Sequence, residues 1–411
     1  MRDEWRALRW GDLAILQYGK ALRGYEGAHG PYKVFGTNGP IGWHDEPLCQ
    51  QPTVIIGRKG AYRGVHYSPE PCFVIDTAFY IKSRADLDMR WAYYELLTQD
   101  INGMDSGSAI PSTSRESFYN LPVHVPPLYQ QRAIANVLGN LDDKIEVNRR
   151  MNETLEAIAR ATFKSWFVDF DPVRAKAETR HLPGIDAQTA SLFPDSFEDS
   201  ALGEIPRGWK IDEIRNKAAS VQYGLTRSAS VEDVGPRFLR ITDIRGGRVD
   251  WGLVPYCPVS TEEYERYQIR PGDILVARTG ASTGENIYIV DAPVSVFASY
   301  LVRIQFSNLA LARVVGEFMR TSTYFDYVAG AVGGSAQPNA SAQVLASAIF
   351  AFPPLSIAER FAGLVEPLDR LRVANSRQTQ ALVSIRDALL PKLISGKIRV
   401  PGRPESEVRK S

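Results

Sequence analysis

The chain has 411 residues, of which 44% are hydrophobic, 23% charged and 10% aromatic, with 48 Lys and Arg against 47 Asp and Glu for a net charge of +1. This length is more than one core normally fills, so at least two domains are expected, and the composition excludes disorder and fibres. A near-neutral balance excludes nucleic-acid binding by bulk charge; any such contact needs cations placed locally.

The start, Met1-Arg2-Asp3-Glu4-Trp5, lacks the apolar core of a signal peptide. A front part follows that reads as mixed α/β. Thr53–Ile56, Cys72–Ile75 and Phe79–Ile81 are β-branched or aromatic runs between Gly and Pro, as strands are. Turn signals stand at Gly36-Thr37-Asn38-Gly39-Pro40 and Gly57-Arg58-Lys59-Gly60. A helix is predicted near 89–99. From Gln130 onward the apolar residues Ile134, Val137, Leu138, Leu141, Ile145, Met151, Leu155 and Ile158 recur at helical spacing. A stripe this narrow suits a coiled coil. A helix over about 130 to 165 would be roughly 50 Å long at about 1.5 Å per residue, and it needs a partner helix to cover it.

The segment 169–205, with Asp171-Pro172, Pro183-Gly184 and Pro194-Asp195, reads as a linker packed along the surface. A second front part then shows strands at Asp273–Val276 and Ile287–Val290, a turn at Arg278-Thr279-Gly280-Ala281 and a helix near 309–320. A second long helix carries Phe361, Leu364, Val365, Leu368, Leu382, Ile385 and Leu389. Pro126-Pro127 and Pro353-Pro354 mark the entries to the two helices. No apolar stretch is long enough to span a bilayer.

The chain repeats itself. Gly107-Ser108-Ala109-Ile110-Pro111 returns as Gly334-Ser335-Ala336-Gln337-Pro338, and Pro126-Pro127-Leu128 as Pro353-Pro354-Leu355, both at an offset of 227. Leu141, Asn148, Leu155 and Ile158 match Leu368, Asn375, Leu382 and Ile385 at the same offset. Upstream the match loosens: Gln17-Tyr18-Gly19 faces Gln222-Tyr223-Gly224 at 205, and Arg58 faces Arg278 at 220. Length is held in the helical parts and released in the front parts. Asn148 and Asn375 interrupt the stripe at equivalent points. Each could be solvated on a helix flank; alternatively, two antiparallel duplicate helices would bring them together as a buried pair that fixes register. The pairing set is thus Leu141, Asn148, Leu155, Leu368, Asn375 and Leu382.

Catalytic constellations do not emerge. Gly280-Ala281-Ser282-Thr283-Gly284 lacks the Lys of a phosphate loop and reads as a turn. His29, His44, His66, His124 and His181 show no ligand spacing, and Cys49, Cys72 and Cys257 form no CxxC. A zinc site or disulfide framework is not expected, and a reducing cytoplasm fits. Local cations are present, however. Arg58-Lys59-Gly60-Ala61-Tyr62-Arg63 places three in six residues, and Arg237, Arg240, Arg245 and Arg248 have only Asp243 among them. Arg can fork onto guanine edges or phosphate, and Thr37-Asn38 and Thr242-Asp243 add groups that read adenine or cytosine. A solvated surface charge would fit any one of these positions; the clustering carries the argument. The candidate DNA-contacting set is Tyr18, Lys20, Thr37, Asn38, Arg58, Lys59, Tyr62 and Arg63 in the first copy. In the second it is Tyr223, Thr226, Arg227, Arg240, Thr242, Asp243, Arg278, Thr279 and Ser282.

Several motifs together resemble the specificity subunit of Type I restriction–modification enzymes. They are Trp10-Gly11-Asp12-Leu13 with Tyr18-Gly19-Lys20, Val54-Ile55-Ile56-Gly57-Arg58-Lys59-Gly60, and Pro126-Pro127-Leu128-Tyr129-Gln130-Gln131-Arg132. Further matches are Phe163-Lys164-Ser165-Trp166-Phe167-Val168-Asp169-Phe170-Asp171-Pro172, Leu202-Gly203-Glu204-Ile205-Pro206 and Leu393-Ile394-Ser395-Gly396-Lys397-Ile398. Pro354-Leu355-Ser356-Ile357-Ala358-Glu359-Arg360 departs from the family's Glu-Gln-Arg pattern at the second helix entry. The resemblance implies an α+β chain: two α/β target-recognition domains joined by two long antiparallel coiled-coil helices with pseudo-two-fold symmetry. Its divisions would be 1–125 and 206–352 for recognition, 126–168 and 353–398 for helical spacers, 169–205 for the linker and 399–411 for a tail. It implies a non-catalytic chain that reads a bipartite, asymmetric site in double-stranded DNA. It implies docking of two methyltransferase subunits and of motor–nuclease subunits. S-adenosylmethionine, ATP and Mg would belong to those partners, with no cofactor or metal on this chain and no membrane contact. The competing reading is a protein-interaction scaffold that uses the duplicated helices without DNA.

Overall fold

Thr53–Gly57 forms a strand with every residue buried, because it is paired along both edges and covered on both faces. Ile274–Ala277 does the same in the second copy. The computed structural model describes residues 5–104, 111–333 and 339–401. The repeated segments Gly107-Ser108-Ala109-Ile110 and Gly334-Ser335-Ala336-Gln337-Pro338 therefore lie outside the described residues. The chain forms two units, residues 1–147 with 379–411, and residues 148–378.

In the first unit, β1 (Ala14–Tyr18), β2 (Thr53–Gly57), β3 (Val65–Ser68) and β4 (Ala78–Ser83) make an antiparallel sheet of order β1-β4-β2-β3. Helix α1 (Met89–Leu96) starts where the Asp88 side chain accepts a hydrogen bond from Trp91 N at 2.8 Å, a standard N-cap. It drives Trp91, Tyr94 and Leu96 into a core with Trp10, Leu16, Val54, Ile56 and Phe79. A three-stranded sheet from Tyr32–Gly36, Gly39–His44 and Cys72–Val74 lies in the same unit. Here the sequence separation of the cysteines proves misleading. Cys49 and Cys72 are cross-strand neighbours that exchange backbone hydrogen bonds of 2.8 and 3.0 Å, both buried and both free thiols. Helix α2 (Leu128–Phe167) begins directly after the proline pair and runs 40 residues, about 60 Å at 1.5 Å per residue. Its first turns give Ile134, Ala135 and Leu138 to the core of this unit, where Leu393 also sits.

The second unit repeats the plan. Strand β5 (Ser220–Tyr223) leads to a hairpin of β6 (Ile244–Arg245) and β7 (Arg248–Val249), then to β8 (Ile274–Ala277), β9 (Asn286–Tyr288) and β10 (Leu301–Gln305). The sheet order, β5-β10-β8-β9, is that of the first unit. The hairpin turns at Gly246 and Gly247, with φ of 57° and 70°, values that favour glycine. Helix α3 (Leu309–Phe318) is capped by Asn308, whose side chain accepts from Leu311 N at 3.0 Å. Helix α4 (Leu355–Ile394) again spans 40 residues. The segment 169–205 is more than a linker. It contains helices Asp171–Ala177 and Ala187–Leu192 and a hairpin of Phe197–Ser200 with Gly203–Pro206. Val173, Phe193 and Ile205 enter the core around Trp166, Phe167, Trp209 and Phe361. Its apolar residues lack periodicity because each enters from a different short element.

The architecture is α+β, with two α/β folds and two long helices paired antiparallel. Asp142 of α2 meets Arg386 of α4, Asn148 meets Gln378, and Asn152 meets Arg372 and Ser376; as one number rises the other falls. Asn148 and Asn375 are both buried, at 0% and 7% exposure, and the solvated-flank alternative is set aside. They do not bond side chain to side chain. Asn148 Nδ2 donates to Gln378 Oε1 at 2.9 Å and approaches the Asn375 carbonyl oxygen at 3.5 Å, while Asn375 Nδ2 donates to Asn152 Oδ1 at 3.0 Å. Leu155 is buried, and Leu141, Leu368 and Leu382 are half-buried. The matched Ile158 and Ile385 leave the seam instead and are 47% and 48% exposed. Among the described residues no helix is long and apolar enough to cross a membrane.

Candidate nucleic-acid interface

The same arrangement closes the end of both sheets. In the first unit Tyr18 ends β1 and is 48% exposed. Arg58 follows the buried strand β2, and its guanidinium stands 4.8 Å from the Tyr18 ring centre. Arg115 approaches the same ring at 5.1 Å. In the second unit Tyr223 ends β5, and Arg278, following β8, stands 4.9 Å from its ring. A guanidinium on an aromatic face is held by the ring's quadrupole and keeps donors free for an anion or base edge.

The supporting bonds match as well. Arg58 N donates to Thr77 O at 2.9 Å, and Arg278 N to Tyr300 O at 3.0 Å. Thr113 N donates to Arg58 O at 2.9 Å, and Ala340 N to Arg278 O at 2.8 Å. Lys59 pairs with Ser112, and Thr279 with Asn339, as isolated bridges. The glycine after each tyrosine is fixed by packing: a Cβ on Gly19 would lie 2.1 Å from Ile75 O, and one on Gly224 would lie 2.2 Å from Ala298 O.

Around this frame the expected residues divide. Lys20, Asn38, Lys59, Thr226 and Thr242 are exposed, and Tyr62 is 80% exposed. Thr279 and Ser282 flank the Arg278 turn and are half-buried. Three expectations are corrected by packing. Arg63 is 2% exposed, donating to Gly60 O at 3.1 Å and to Asn102 O at 2.5 Å; it braces the turn. The Thr37 hydroxyl is shared between Lys59 O at 2.9 Å and Thr77 O at 2.7 Å, which leaves it no donor for a base. Arg240 and Asp243 pair with each other through Nε and Nη2 at 3.0 and 2.8 Å, closing a short turn. Arg227 is exposed but pairs with Glu263 at 2.6 Å.

The cation run of the second copy is likewise mostly engaged. Arg237 lies over Tyr256 at 4.1 Å, and Arg248 bonds Glu156. Arg245 is exposed on the hairpin. Two residues were not foreseen. Arg115 aligns with Ala342 in the other copy, so the repeat hides it. Tyr300, 56% exposed, aligns with Thr77 and lacked a motif. No group of His, Cys, Asp or Glu among the described residues could hold a metal ion.

Comparison with known proteins agrees with this layout. Residues 3–157 match the Type I restriction modification DNA specificity domain. The chain is 26% identical over 313 residues to the Type I restriction enzyme MjaIX specificity subunit of Methanocaldococcus jannaschii, covering 74% of this chain and 66% of that protein. It is 25% identical over 358 residues to the HindI specificity subunit of Haemophilus influenzae, covering 74% of each. The fold matches the crystal structure of the Type I restriction–modification S subunit from M. genitalium, with a TM-score of 0.64 at 16% identity over 97% of both chains. Alongside the duplicated sheets and the paired 40-residue helices, residues 3–157 thus resemble the Type I restriction modification DNA specificity domain, and the chain as a whole is similar to Type I restriction enzyme specificity subunits.

Proposed function

We propose that this chain reads the two halves of a split, asymmetric DNA site, one with each α/β unit, and has no catalytic centre of its own. The observation that carries this reading is the repeated tyrosine–arginine pair: Arg58 on Tyr18 and Arg278 on Tyr223, each on an exposed sheet end. Phosphate contacts from exposed Lys20 and Lys59 would set the pose, and base-edge contacts from the arginines and Asn38 would specify. The two helices, equal in length and paired antiparallel, serve as the ruler that fixes the separation of the half-sites.

The exposed Ile158 and Ile385 lie on the long helices at equivalent points of the repeat. Such matched apolar positions suit two copies of one partner, and the partners we assign are two methyltransferase subunits, with motor–nuclease subunits joining the complex. S-adenosylmethionine, ATP and Mg would be held by those subunits in the cytoplasm. The test is binding by the assembled methylase. Changing Arg58 and Lys59 to Ala should weaken DNA binding and flatten its salt dependence by one to two phosphate contacts. Unchanged affinity and salt slope would remove this turn from the interface.

A further inference from the structure

Glu156 is a buried carboxylate in the second half of α2, only 4% exposed, facing a set of guanidiniums. Arg248 of the hairpin reaches it through Nη2 at 2.5 Å and Nε at 2.8 Å. Arg320, just past α3, bonds its other oxygen. Arg372 of α4 lies at 3.5 Å, and Arg160 of the same helix at 2.6 Å. The set continues outward: Arg372 bonds Asp369 at 3.1 Å, Asp369 bonds Arg313 of α3 at 2.9 Å, and Arg313 bonds Glu317 at 2.6 Å. One connected ionic chain thus ties the hairpin and α3 to both long helices within the second unit.

Half of this chain has a counterpart in the first unit, and half does not. Asp369 corresponds to Asp142 at the offset of 227, and Asp142 likewise receives Arg386 at 2.8 Å and the Tyr94 hydroxyl at 2.5 Å. Glu156 corresponds to Val383, and Arg372 to Ile145, so the first unit has no carboxylate at the position of Glu156. The hairpin lies in the stretch where the repeat offset grows from 205 to 220. The hub thus joins a hairpin from the stretch where the copies differ in length to a helix position that carries no carboxylate in the other copy. Buried ion pairs are weak sources of net stability, and in some proteins they specify geometry instead; a Glu with four partners is held from several sides at once.

We propose that Glu156 is a positioning residue: it locks the second recognition fold onto the long helices and thereby sets how strictly the spacing between the DNA half-sites is enforced. The inference rests on the half-site reading above. The first fold meets its helix through Tyr94 on Asp142 and Arg90 on the more exposed Asp143, without a buried carboxylate shared among several guanidiniums among the described residues. Losing the lock lets the second fold shift against its helices while its base-reading surface stays intact.

The test uses the full chain with its methyltransferase in cells, read by sequencing of methylated bases. Glu156→Gln keeps the shape and removes the charge. The expected result is that the same bases are recognised in both half-sites, while methylation at spacings one base pair longer or shorter rises by roughly tenfold. Glu156→Asp, which keeps the charge, should restore the strict spacing in large part. Strict spacing in Glu156→Gln, whether methylation is normal or uniformly reduced, overturns the proposal. If Glu156→Gln yields no methylation, Arg248→Gln decides, since that side chain is 49% exposed and its loss leaves Arg320 in place; strict spacing there also overturns it. A wild-type chain that directs methylation to no bipartite site would instead refute the half-site reading itself.

Discussion

Replacing both Asn148 and Asn375 with Leu should raise the melting temperature of the second unit while loosening the register of the helix pair. Asn148 is fully buried and Asn375 is 7% exposed. Each substitution removes a neutral hydrogen bond, to Gln378 and Asn152 respectively, at a net cost of about 1 kcal/mol. The partners lose little more, because Gln378 is exposed and Asn152 half-buried, so water can take the vacated bonds. Each Leu of nearly equal volume then buries an apolar side chain for about 1.5–3 kcal/mol. The balance favours the double variant by about 1 kcal/mol or more, roughly 2–4 °C in a unit of this size. The assay is thermal unfolding of the full chain, with amide exchange across 141–155 and 368–382 reporting register. Faster exchange at a higher melting temperature fits the argument. A lower melting temperature refutes it, because the asparagines would then contribute stability, not register.

Two carboxyls in different units should give opposite pH dependences. Burial holds Glu95 up at about 7, against an ordinary value of 4.5, despite bonds from Gln99 and Trp10; stability of the first unit should fall as pH rises from about 4.5 to about 7, and Glu95→Gln should flatten that slope. Burial alone would raise Glu156, but the Arg320, Arg248 and Arg372 guanidiniums outweigh it and hold it down at about 2. Its contribution is present above about 4.5 and lost as pH falls toward about 2, so acid unfolding monitored in the second unit should lose this component in Glu156→Gln. Gly19→Ala and Gly224→Ala each force a Cβ against a backbone carbonyl at 2.1 and 2.2 Å, and each should lower the melting temperature of its unit measurably. Arg278→Ala should relax base preference in one half-site by about 1–3 kcal/mol and leave the other unchanged, as read by methylation sequencing.

The helices were legible because their signal is local and doubled: a helical stripe, a proline entry and one offset of 227 residues. The paired arginines Arg58 and Arg278 were legible for a similar reason, each following a β-branched strand with a Gly turn. What stayed hidden depends on contacts far along the chain. Arg63 looked like a free cation because Asn102, which buries it, lies 39 residues away. Arg248 looked the same because Glu156 is 92 residues away. Cys49 and Cys72 meet only because a strand returns between them. Ile158 and Ile385 fit the stripe by spacing, yet both are about half exposed, because a straight helix drifts away from a seven-residue repeat along its length.

The division of the chain has a consequence for its synthesis. The second unit is one unbroken stretch, 148–378, whereas the first needs residues 379 onward to finish its core, with Leu389, Leu390 and Ile394 packed around buried Leu393. A ribosome therefore releases everything the later unit needs before the earlier one can close. The N-terminal fold must wait, with the face that Leu393 will cover still open, until the last helix emerges. A stalled or clipped C-terminus would damage the beginning of this protein first.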